Sequence, residues 1–391
     1  MFTLDHTYEE IMNTDPVGRA IGNLFPTCWR DRISPEHAGH TMRRIAQEDK
    51  MEFGDPFVSD AFVECANLLM ETAENRRFLF VPLWDEKFAL NPCQKDGNPI
   101  PDGDLNTAAG VSLFTGNPEV DNAAFAHTAV PDSVPPYDTT AVSEEKRRIM
   151  HHRPAVIVCP GGGYVMHATH SEGIRLAQRL ERDGGYKAFV LNYRITPNYY
   201  PLPQMDLALA IMHVRAHAET YDIDPDRILI VGSSAGGHLC ASEAYLHTDL
   251  ERLVLDAFRD AGACDAILKN YQGISARPNG IGLLYPVISF LSDYHEGSYL
   301  YLTNSDPHLR ELLSVENHIA NGYPPTYAFA NADDDCVPPS NTARLDKALE
   351  AADVPHLCQS YPTGNHGIGL GYDFSCKKWS EEMLAFFEKT L

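Results

Sequence analysis

The sequence predicts an α/β fold, in which a mostly parallel β-sheet is flanked by helices on both faces. From residue 154 onward, short apolar runs alternate with stretches of helical periodicity. AVIVC, KAFVLNY, ILIV and TYAFAN read as buried strands, and each is followed by a helical segment. This alternation is typical of parallel strands joined by crossover helices. A final strand, HLCQSY, precedes the helical sequence SCKKWSEEMLAFFEKTL at the end of the chain.

Residues 1–85 predict a helical N-terminal extension or cap, ahead of a sheet domain that is expected to span residues 86–391. TYEEIMNTD, SPEHAGHTMRRIAQEDK and DPFVSDAFVECANLLMETAEN have helical periodicity. The second and third begin with a capping residue followed by proline, which suits the first turn of a helix. Proline, glycine, asparagine and aspartate are frequent in 86–150, so we expect loops there, a strand at 110–114 and a loop-rich insertion at about 119–152.

Composition and charge exclude several classes of partner. The chain of 391 residues is 44% apolar and 22% charged, as in an ordinary globular protein. Its formal net charge of −23 argues against binding to nucleic acid or to an anionic membrane surface. No apolar run approaches the roughly 18 residues of a membrane span. These features predict neither a nucleic acid nor a membrane partner.

The cysteines and the N-terminal residues bear on the cellular compartment. The nine cysteines are an odd number without CxxC spacing, which predicts scattered thiols and neither a disulfide framework nor a zinc site. MFTLDHTYEEIMNTDP lacks the basic and apolar regions of a signal peptide. We therefore expect a cytoplasmic location and no bound metal.

A nucleophile elbow is predicted in RILIVGSSAGGHL, residues 227–239. The pattern G-x-S-x-G places a serine on a sharp strand-to-helix turn, with its oxygen above the sheet. Glycines are needed because side chains two residues either side of the bend would collide. Gly232 and Gly236 make Ser234 the nucleophile, whereas Ser233 would need glycines where the chain has valine and alanine. The alternative is a tight turn that contains serine by chance, and the rest of the sequence must decide between them.

A serine nucleophile needs a base and a group that orients the base. In the chain order Ser, Asp, His, His366 is the candidate base, because it lies in the glycine-rich loop YPTGNHGIGLG after the last strand. The strand TYAFAN is followed by three aspartates, at the edge where α/β sheets carry their active sites. We choose Asp334 as the orienting acid, with Asp333 and Asp335 as alternatives.

The stretch PGGGY, residues 160–164, follows the strand AVIVC and is predicted to stabilise a developing oxyanion. Lipases and esterases carry an HGGG-type loop at this place, and proline replaces that histidine here. We assign the backbone amides of Gly162 and Gly163 as donors, together with the amide of Ala235 after the nucleophile. A phosphate-binding loop is the alternative, but the spacing matches neither GxGxxG nor GxxxxGKS/T.

Three more residues stand near the predicted site. Tyr164 follows the glycine loop and either borders the acyl pocket or packs in the core. His295, in the sequence DYHEGSYLY between two strands, either contacts a sugar hydroxyl or is a surface histidine. Glu172 lies at a predicted helix start, where the helix dipole explains it without any function. The segment 291–313 is rich in polar side chains, so a cover formed there would be polar.

Together these motifs resemble those of the bacterial α/β-hydrolases of the acetyl-esterase and acetylxylan-esterase type. The similar stretches lie between residues 110 and 370 and include GVSLFTGNP, PAVIVCPGGGY, KAFVLNYR, DIDPDRILIVGSSAGGHLCAS, HEGS, YPPTYAFANADDDCVP and YPTGNHGIGLG. The resemblance implies the α/β-hydrolase fold, a Ser-Asp-His triad and a glycine-loop oxyanion hole, with no cofactor. It also implies hydrolysis of short acyl esters, often acetyl groups on sugars. The long segment before the PGGGY strand departs from the family, in which it is usually short.

The sequence thus predicts a serine carboxylesterase that acts on a small-molecule or oligosaccharide ester. A serine peptidase of the same fold is one alternative, although such enzymes usually carry a large extra domain that residues 1–85 do not supply. A noncatalytic binding protein on a hydrolase scaffold is another, although such proteins typically lose the serine or the histidine. The alcohol, the acyl length and a homo-oligomeric state are left open by the sequence.

Overall fold

The fold is built on one eight-stranded β-sheet. The computed structural model describes residues 1–14, 38–48, 63, 66, 67, 70, 78–84, 110–114, 153–260, 263, 265–372 and 374–391. In chain order the strands are β1 (Phe78–Pro82), β2 (Gly110–Phe114), β3 (Ala155–Cys159), β4 (Lys187–Asn192), β5 (Ile228–Ser233), β6 (Gly280–Leu284), β7 (Thr326–Asn331) and β8 (His356–Tyr361).

The strand order across the sheet is β1-β2-β4-β3-β5-β6-β7-β8. β2 is antiparallel to both β1 and β4, and all later neighbours are parallel. The register pairs Cys159 at the end of β3 with Gly232 near the end of β5. Since parallel strands end at the same edge, the loops that follow these two strands start side by side. That edge carries both the predicted glycine loop and the predicted elbow.

Helices cover the sheet, and the alternation that the sequence predicts is confirmed. Their bounds are α1 (Tyr8–Met12), α2 (Met42–Glu48), α3 (Arg175–Gly184), α4 (Leu202–Ala216), α5 (Ala218–Tyr221), α6 (Ser234–Asp260), α7 (Asp265–Tyr271), α8 (Glu296–Thr303), α9 (Leu309–Leu312), α10 (Ser340–Ala351) and α11 (Trp379–Thr390). A π-helical turn, Thr169–Ile174, leads into α3, and a 3-10 turn, Val315–Asn317, precedes β7. Among the described residues, no helix has the length and apolar character needed to cross a membrane.

Residues 78–82 correct one expectation. They lie in the stretch predicted to be helical, yet they form β1 and pair with β2 along its whole length. The run FLFVP is too short to show a helical period, and its proline cannot continue a helix, so pairing with a neighbouring strand decides. The apolar run GIGLLYPVI, residues 280–288, predicts a longer strand than the structure has, because β6 ends at Leu284. The insertion at about 119–152 lies outside the described residues, and the division at residue 85 stays a prediction.

The sheet separates two hydrophobic clusters, one on each face. Ile157 of β3 belongs to the cluster that contains apolar side chains of α4 and α6, whereas Val156 and Val158 belong to the cluster of α3 and α11. This division follows the alternation of side chains along a strand. Strands β3 to β7 are buried throughout, which explains why the sequence shows them as near-continuous apolar runs.

A buried ion pair joins the chain after β4 to α4 and to the residues after β1. The carboxylate of Asp206 accepts hydrogen bonds from Arg194 Nη2 at 2.6 Å and from Trp84 Nε1 at 2.7 Å. The side chains of Arg194 and Asp206 are 1% and 0% exposed. The guanidinium carbon of Arg194 also lies 5.3 Å from the centre of the Trp84 ring. Trp84 is therefore part of the core of the sheet domain.

We expect Asp206→Ala to destabilise the protein strongly, because it leaves the Arg194 charge buried without its partner. The free energy of unfolding should fall by about 3–5 kcal/mol, measured by urea denaturation with circular dichroism. Asp249→Ala is the control, because Asp249 pairs with Arg252 on the exposed surface and its loss should leave the midpoint unchanged. Equal losses in the two variants would contradict the prediction.

Candidate active site

Ser234 lies at a sharp turn between β5 and α6. Its φ of 53° is in the left-handed region, which a residue other than glycine rarely adopts. A Cβ atom at Gly232 would lie 2.1 Å from the carbonyl oxygen of Gly236, and one at Gly236 would lie 2.1 Å from that of Cys159. The turn therefore requires glycine at both positions. Ser233 is the last residue of β5 and is fully buried.

Three polar side chains from three different connections meet at this edge of the sheet. The hydroxyl Oγ of Ser234 lies 2.8 Å from Nε2 of His366, and Nδ1 of that ring lies 2.7 Å from Oδ2 of Asp334. With a carboxylate accepting from Nδ1–H, Nε2 can accept the serine proton. The arrangement can thus turn the hydroxyl into a nucleophile. No group of three or more His, Cys, Asp or Glu side chains suited to a metal ion is found among the described residues.

Asp334 differs from the acidic residue that follows it. The side chain of Asp334 is buried, and its Oδ1 accepts the backbone amides of Cys336 at 3.0 Å and Val337 at 2.9 Å. These amides fix the carboxylate and leave Oδ2 for the imidazole. Asp335 is exposed. The chosen aspartate is thus the one that the structure brings to the histidine.

Asp333 has a different place in the same turn. Its carboxylate accepts the backbone amides of Gly364 at 2.9 Å and Asn365 at 2.8 Å. These hydrogen bonds lower the pKa of Asp333, the bond from Asn365 most strongly. Because both amides belong to the loop that carries His366, Asp333 fastens that loop to the end of β7 and does not contact the imidazole in the described structure.

The glycine loop passes close to Ser234, the candidate nucleophile. A Cβ atom at Gly161 would lie 2.9 Å from the Cβ of Ser234. Gly162 has a φ of 129° and Gly163 a φ of 63°, values that favour glycine. Within the described part of the chain, the amides of Gly162, Gly163 and Ala235 donate no hydrogen bond. These three groups, called the oxyanion amides below, are available to an incoming oxygen.

Tyr164 is fully buried, which agrees with the packing alternative. Its hydroxyl lies 2.8 Å from Nδ1 of His238, and Nε2 of that ring lies 2.8 Å from the carbonyl oxygen of Leu313. Burial lowers the pKa of His238 to about 4, so the ring is neutral and Nδ1 accepts the phenolic proton. Tyr164 therefore anchors the end of the glycine loop to α6.

His295 lies beside the glycine loop and caps the start of α8. Its Nδ1 accepts the backbone amide of Ser298 at 3.1 Å, so the neutral ring carries its proton on Nε2. A Cβ atom at Gly163 would lie 3.6 Å from Cε1 of this ring. Burial lowers the pKa of His295, as does the proximity of His366, whereas Asp334 raises it. A neutral Nε2–H donor thus stands next to the predicted oxyanion hole.

Glu172 and Tyr285 form a buried pair that the sequence analysis missed. The carboxylate of Glu172 is 2% exposed and accepts the hydroxyl of Tyr285 at 2.7 Å and the amide of Gly161 at 2.8 Å. The helix dipole is therefore an insufficient explanation of Glu172. No local pattern could have found the pair, because an acidic residue at a helix start is usually exposed and Tyr285 is distant in sequence.

Known proteins are similar in sequence to part of this chain. The BD-FAE family model matches residues 144–349, more than half of the chain. Endo-1,4-beta-xylanase B of Butyrivibrio fibrisolvens is 30% identical over 234 residues, which are 58% of this chain and 34% of that protein. Acetylxylan esterase of Xylanibacter ruminicola is 27% identical over 237 residues, 59% of this chain and 43% of that protein. The chain therefore spans less than half the length of these two relatives.

Solved structures share the fold. The acetyl ester-xyloside bifunctional hydrolase from Caldicellulosiruptor lactoaceticus superposes with a TM-score of 0.59 and 29% identity, over 80% of this chain and 96% of that one. The carboxylesterase Cest-2923 from Lactobacillus plantarum superposes with a TM-score of 0.52 and 21% identity, over 73% and 95%. The predicted α/β-hydrolase fold is confirmed by these neighbours and by the strand order. Since the family model covers more than half of its residues, the chain belongs to the BD-FAE family of α/β-hydrolase proteins.

Proposed function

We propose that the protein is a serine carboxylesterase that hydrolyses short acyl esters, in particular acetyl groups on a carbohydrate. The observation that carries the proposal is the continuous hydrogen-bonded chain from Ser234 through His366 to Asp334, beside three available backbone amides. The relatives named acetylxylan esterase and acetyl ester-xyloside hydrolase support the substrate class. No cofactor is required by this chemistry.

In the first half-reaction the ester carbonyl oxygen binds to the oxyanion amides. His366 Nε2 takes the hydroxyl proton while Ser234 Oγ attacks the carbonyl carbon, and Asp334 stabilises the positive imidazole. The oxyanion amides stabilise the negative oxygen, each by roughly 3 kcal/mol. The bond between the carbonyl carbon and the alcohol oxygen then breaks. The alcohol leaves with the proton from His366, and the acyl group remains on Ser234.

Water completes the reaction by the reverse route. His366 Nε2 removes a proton from the water, whose oxygen attacks the acyl carbon under the same oxyanion amides. The bond to Ser234 Oγ breaks, and the serine regains its proton from the imidazole. The products are the free acid and a restored active site. The same three side chains therefore serve both halves.

The alcohol side of the site has a polar neighbour in His295. Its Nε2–H is a neutral donor next to the glycine loop, and a sugar hydroxyl needs such a partner once it is buried. The segment 291–313 also carries exposed polar residues, among them Asp293, Glu296 and His308. These features favour a carbohydrate alcohol over an aliphatic one.

Two other functions remain as candidates with direct tests. A serine peptidase of this fold would cleave an amino-acyl nitroanilide, whereas the proposed esterase would prefer p-nitrophenyl acetate. A noncatalytic binding protein would hydrolyse neither substrate. Because the chain keeps both the serine and the histidine, and relatives named acetylxylan esterase and acetyl ester-xyloside bifunctional hydrolase match it, the esterase is favoured.

The cellular location and the oligomeric state of the protein can each be tested directly. We propose a cytoplasmic location because the nine cysteines are scattered and show no CxxC spacing. Cell fractionation with an antibody to the chain tests this location. Light scattering coupled to gel filtration determines whether the protein forms a homo-oligomer.

Ser234→Ala should abolish ester hydrolysis, because the alanine has no oxygen to attack the carbonyl carbon. The residual rate should lie roughly 10⁴-fold or more below wild type, measured as kcat/KM with p-nitrophenyl acetate. Ser233→Ala is the matched control, since its neighbour keeps both flanking glycines, and it should retain most of the activity. Substantial turnover by the Ser234 variant would overturn the assignment.

The specificity constant should fall as the acyl chain lengthens beyond butyrate. A longer chain gains about 0.8 kcal/mol per methylene only where apolar surface receives it, and the cover predicted from the sequence is polar. A series of p-nitrophenyl esters from acetate to decanoate measures the trend. A maximum at octanoate or longer would contradict both the polar cover and the sugar-acetate substrate.

His295→Ala should weaken binding of a sugar ester more than that of an aryl ester. Loss of one hydrogen bond to a buried hydroxyl should raise KM for acetylated xylo-oligosaccharides about tenfold, with KM for p-nitrophenyl acetate little changed. His308→Ala is the matched control, because that histidine lies in the same segment and is exposed. Equal changes with both substrates would mean that His295 does not contact the sugar.

A further inference from the structure

A buried hydrogen-bond network extends beneath the catalytic loops. It begins at Glu172, in the π-helical turn before α3, and its two carboxylate oxygens accept from Gly161 at 2.8 Å and from Tyr285 at 2.7 Å. A Cβ atom at position 161 would lie 2.6 Å from Glu172 Oε2, so only glycine allows this contact. One carboxylate therefore fixes the loop from which two of the oxyanion amides project.

The network continues from Tyr285 to the loop of the candidate base. The hydroxyl of Tyr285 accepts the amide of Gly369 at 3.0 Å, three residues after His366. The rings of Tyr285 and His366 meet edge to face, with their centres 4.9 Å apart. A Cβ atom at Gly369 would lie 2.6 Å from the carbonyl oxygen of Ser171, so this loop also packs against the turn that carries Glu172.

The titratable groups around Glu172 include the His366 ring. Burial raises the pKa of the Glu172 carboxyl above its usual value, and the Tyr285 hydroxyl, the His366 ring and the Gly161 amide limit that rise. Glu172 interacts in turn with Tyr193, Cys336 and Tyr285. The titratable groups that face His366 are Asp334, Glu172, Tyr285 and His295. Among these groups, Asp334 and Glu172 are the two carboxylates.

We propose that Glu172 is a positioning residue for the esterase reaction, which fixes the glycine loop and the His366 loop and whose negative charge favours the protonated imidazole formed during each half-reaction. The inference rests on the proposed function and assigns no contact with substrate to Glu172. It follows from a carboxylate that has almost no access to water and that joins the two loops that the reaction needs. An acidic residue that only complemented a helix dipole would neither fix these loops nor favour the protonated imidazole.

The test compares three variants with p-nitrophenyl acetate. Glu172→Ala removes both contacts and should lower kcat about 100-fold, with KM nearly unchanged because the ground-state contacts of the ester are kept. Glu172→Gln keeps a group of the same shape and loses the charge. Because this variant lacks the negative charge, the acidic midpoint of its kcat/KM profile should move down by about half a pH unit or more.

Tyr285→Phe separates contact from charge. It removes the hydroxyl that supports Gly369 but keeps the carboxylate, so kcat should fall while the acidic midpoint does not move down. This variant also keeps the proposal falsifiable if Glu172→Gln fails to fold, because wild-type kcat in Tyr285→Phe would overturn it. A downward shift in Tyr285→Phe as large as that in Glu172→Gln would overturn the role of the charge.

Glu243→Gln is the matched control. Glu243 is a fully buried glutamate in α6 whose neighbours are Arg215, Glu251 and Arg277, outside the catalytic loops. It should leave kcat and the pH profile at wild-type values. If Glu172→Gln is folded and shows a wild-type kcat and an unshifted profile, the inference is wrong while the esterase stands. If the wild-type protein hydrolyses no acetate ester, the proposed function itself fails.

Discussion

The close approach of the first turn of α6 to the end of β3 is the constraint on which the candidate site depends. A Cβ atom at Gly236 would collide with the carbonyl oxygens of Cys159 and Pro160. A Cβ atom at Gly232 would collide with the carbonyl oxygen of Gly236. This backbone contact forces Ser234 into the left-handed region. It also brings the glycine loop, which begins at Pro160, beside the serine. The candidate nucleophile and the oxyanion amides are thus brought together by the same packing contact.

The electrostatic character of the site follows from what lies beneath those loops. A positive imidazole in a partly dry site needs negative charge nearby, and a buried carboxylate needs donors to remain there. Asp334 has two backbone amides and the imidazole itself. Glu172 has one amide and one phenol. Both carboxylates hold backbone amides of the active-site loops, so the groups that balance the charge also set the geometry.

The sequence predicts those parts of the site that local backbone geometry dictates. The elbow and the glycine loop could be predicted because their glycines are required by contacts within a few residues of each turn. Asp333 and Asp334 could not be separated by pattern alone, because their roles depend on a loop more than thirty residues away in sequence. The same reason hides the contact between Glu172 and Tyr285. β1 was missed for a similar reason, since pairing with β2 and not local periodicity makes it a strand.

The residues proposed to react and the residue proposed to contact the alcohol lie in different parts of the chain. The candidate reacting groups follow β3, β5, β7 and β8, and the parallel pairing of these strands within one sheet fixes the groups relative to one another. His295 instead lies between β6 and β7, in a segment that contacts the glycine loop at Gly163. Because α8 is capped within its own segment, by His295, we expect substitutions elsewhere in that segment to leave the turn at Ser234 in place. An esterase of the proposed kind, arranged in this way, would keep one acyl-transfer site while its preference among sugars changes.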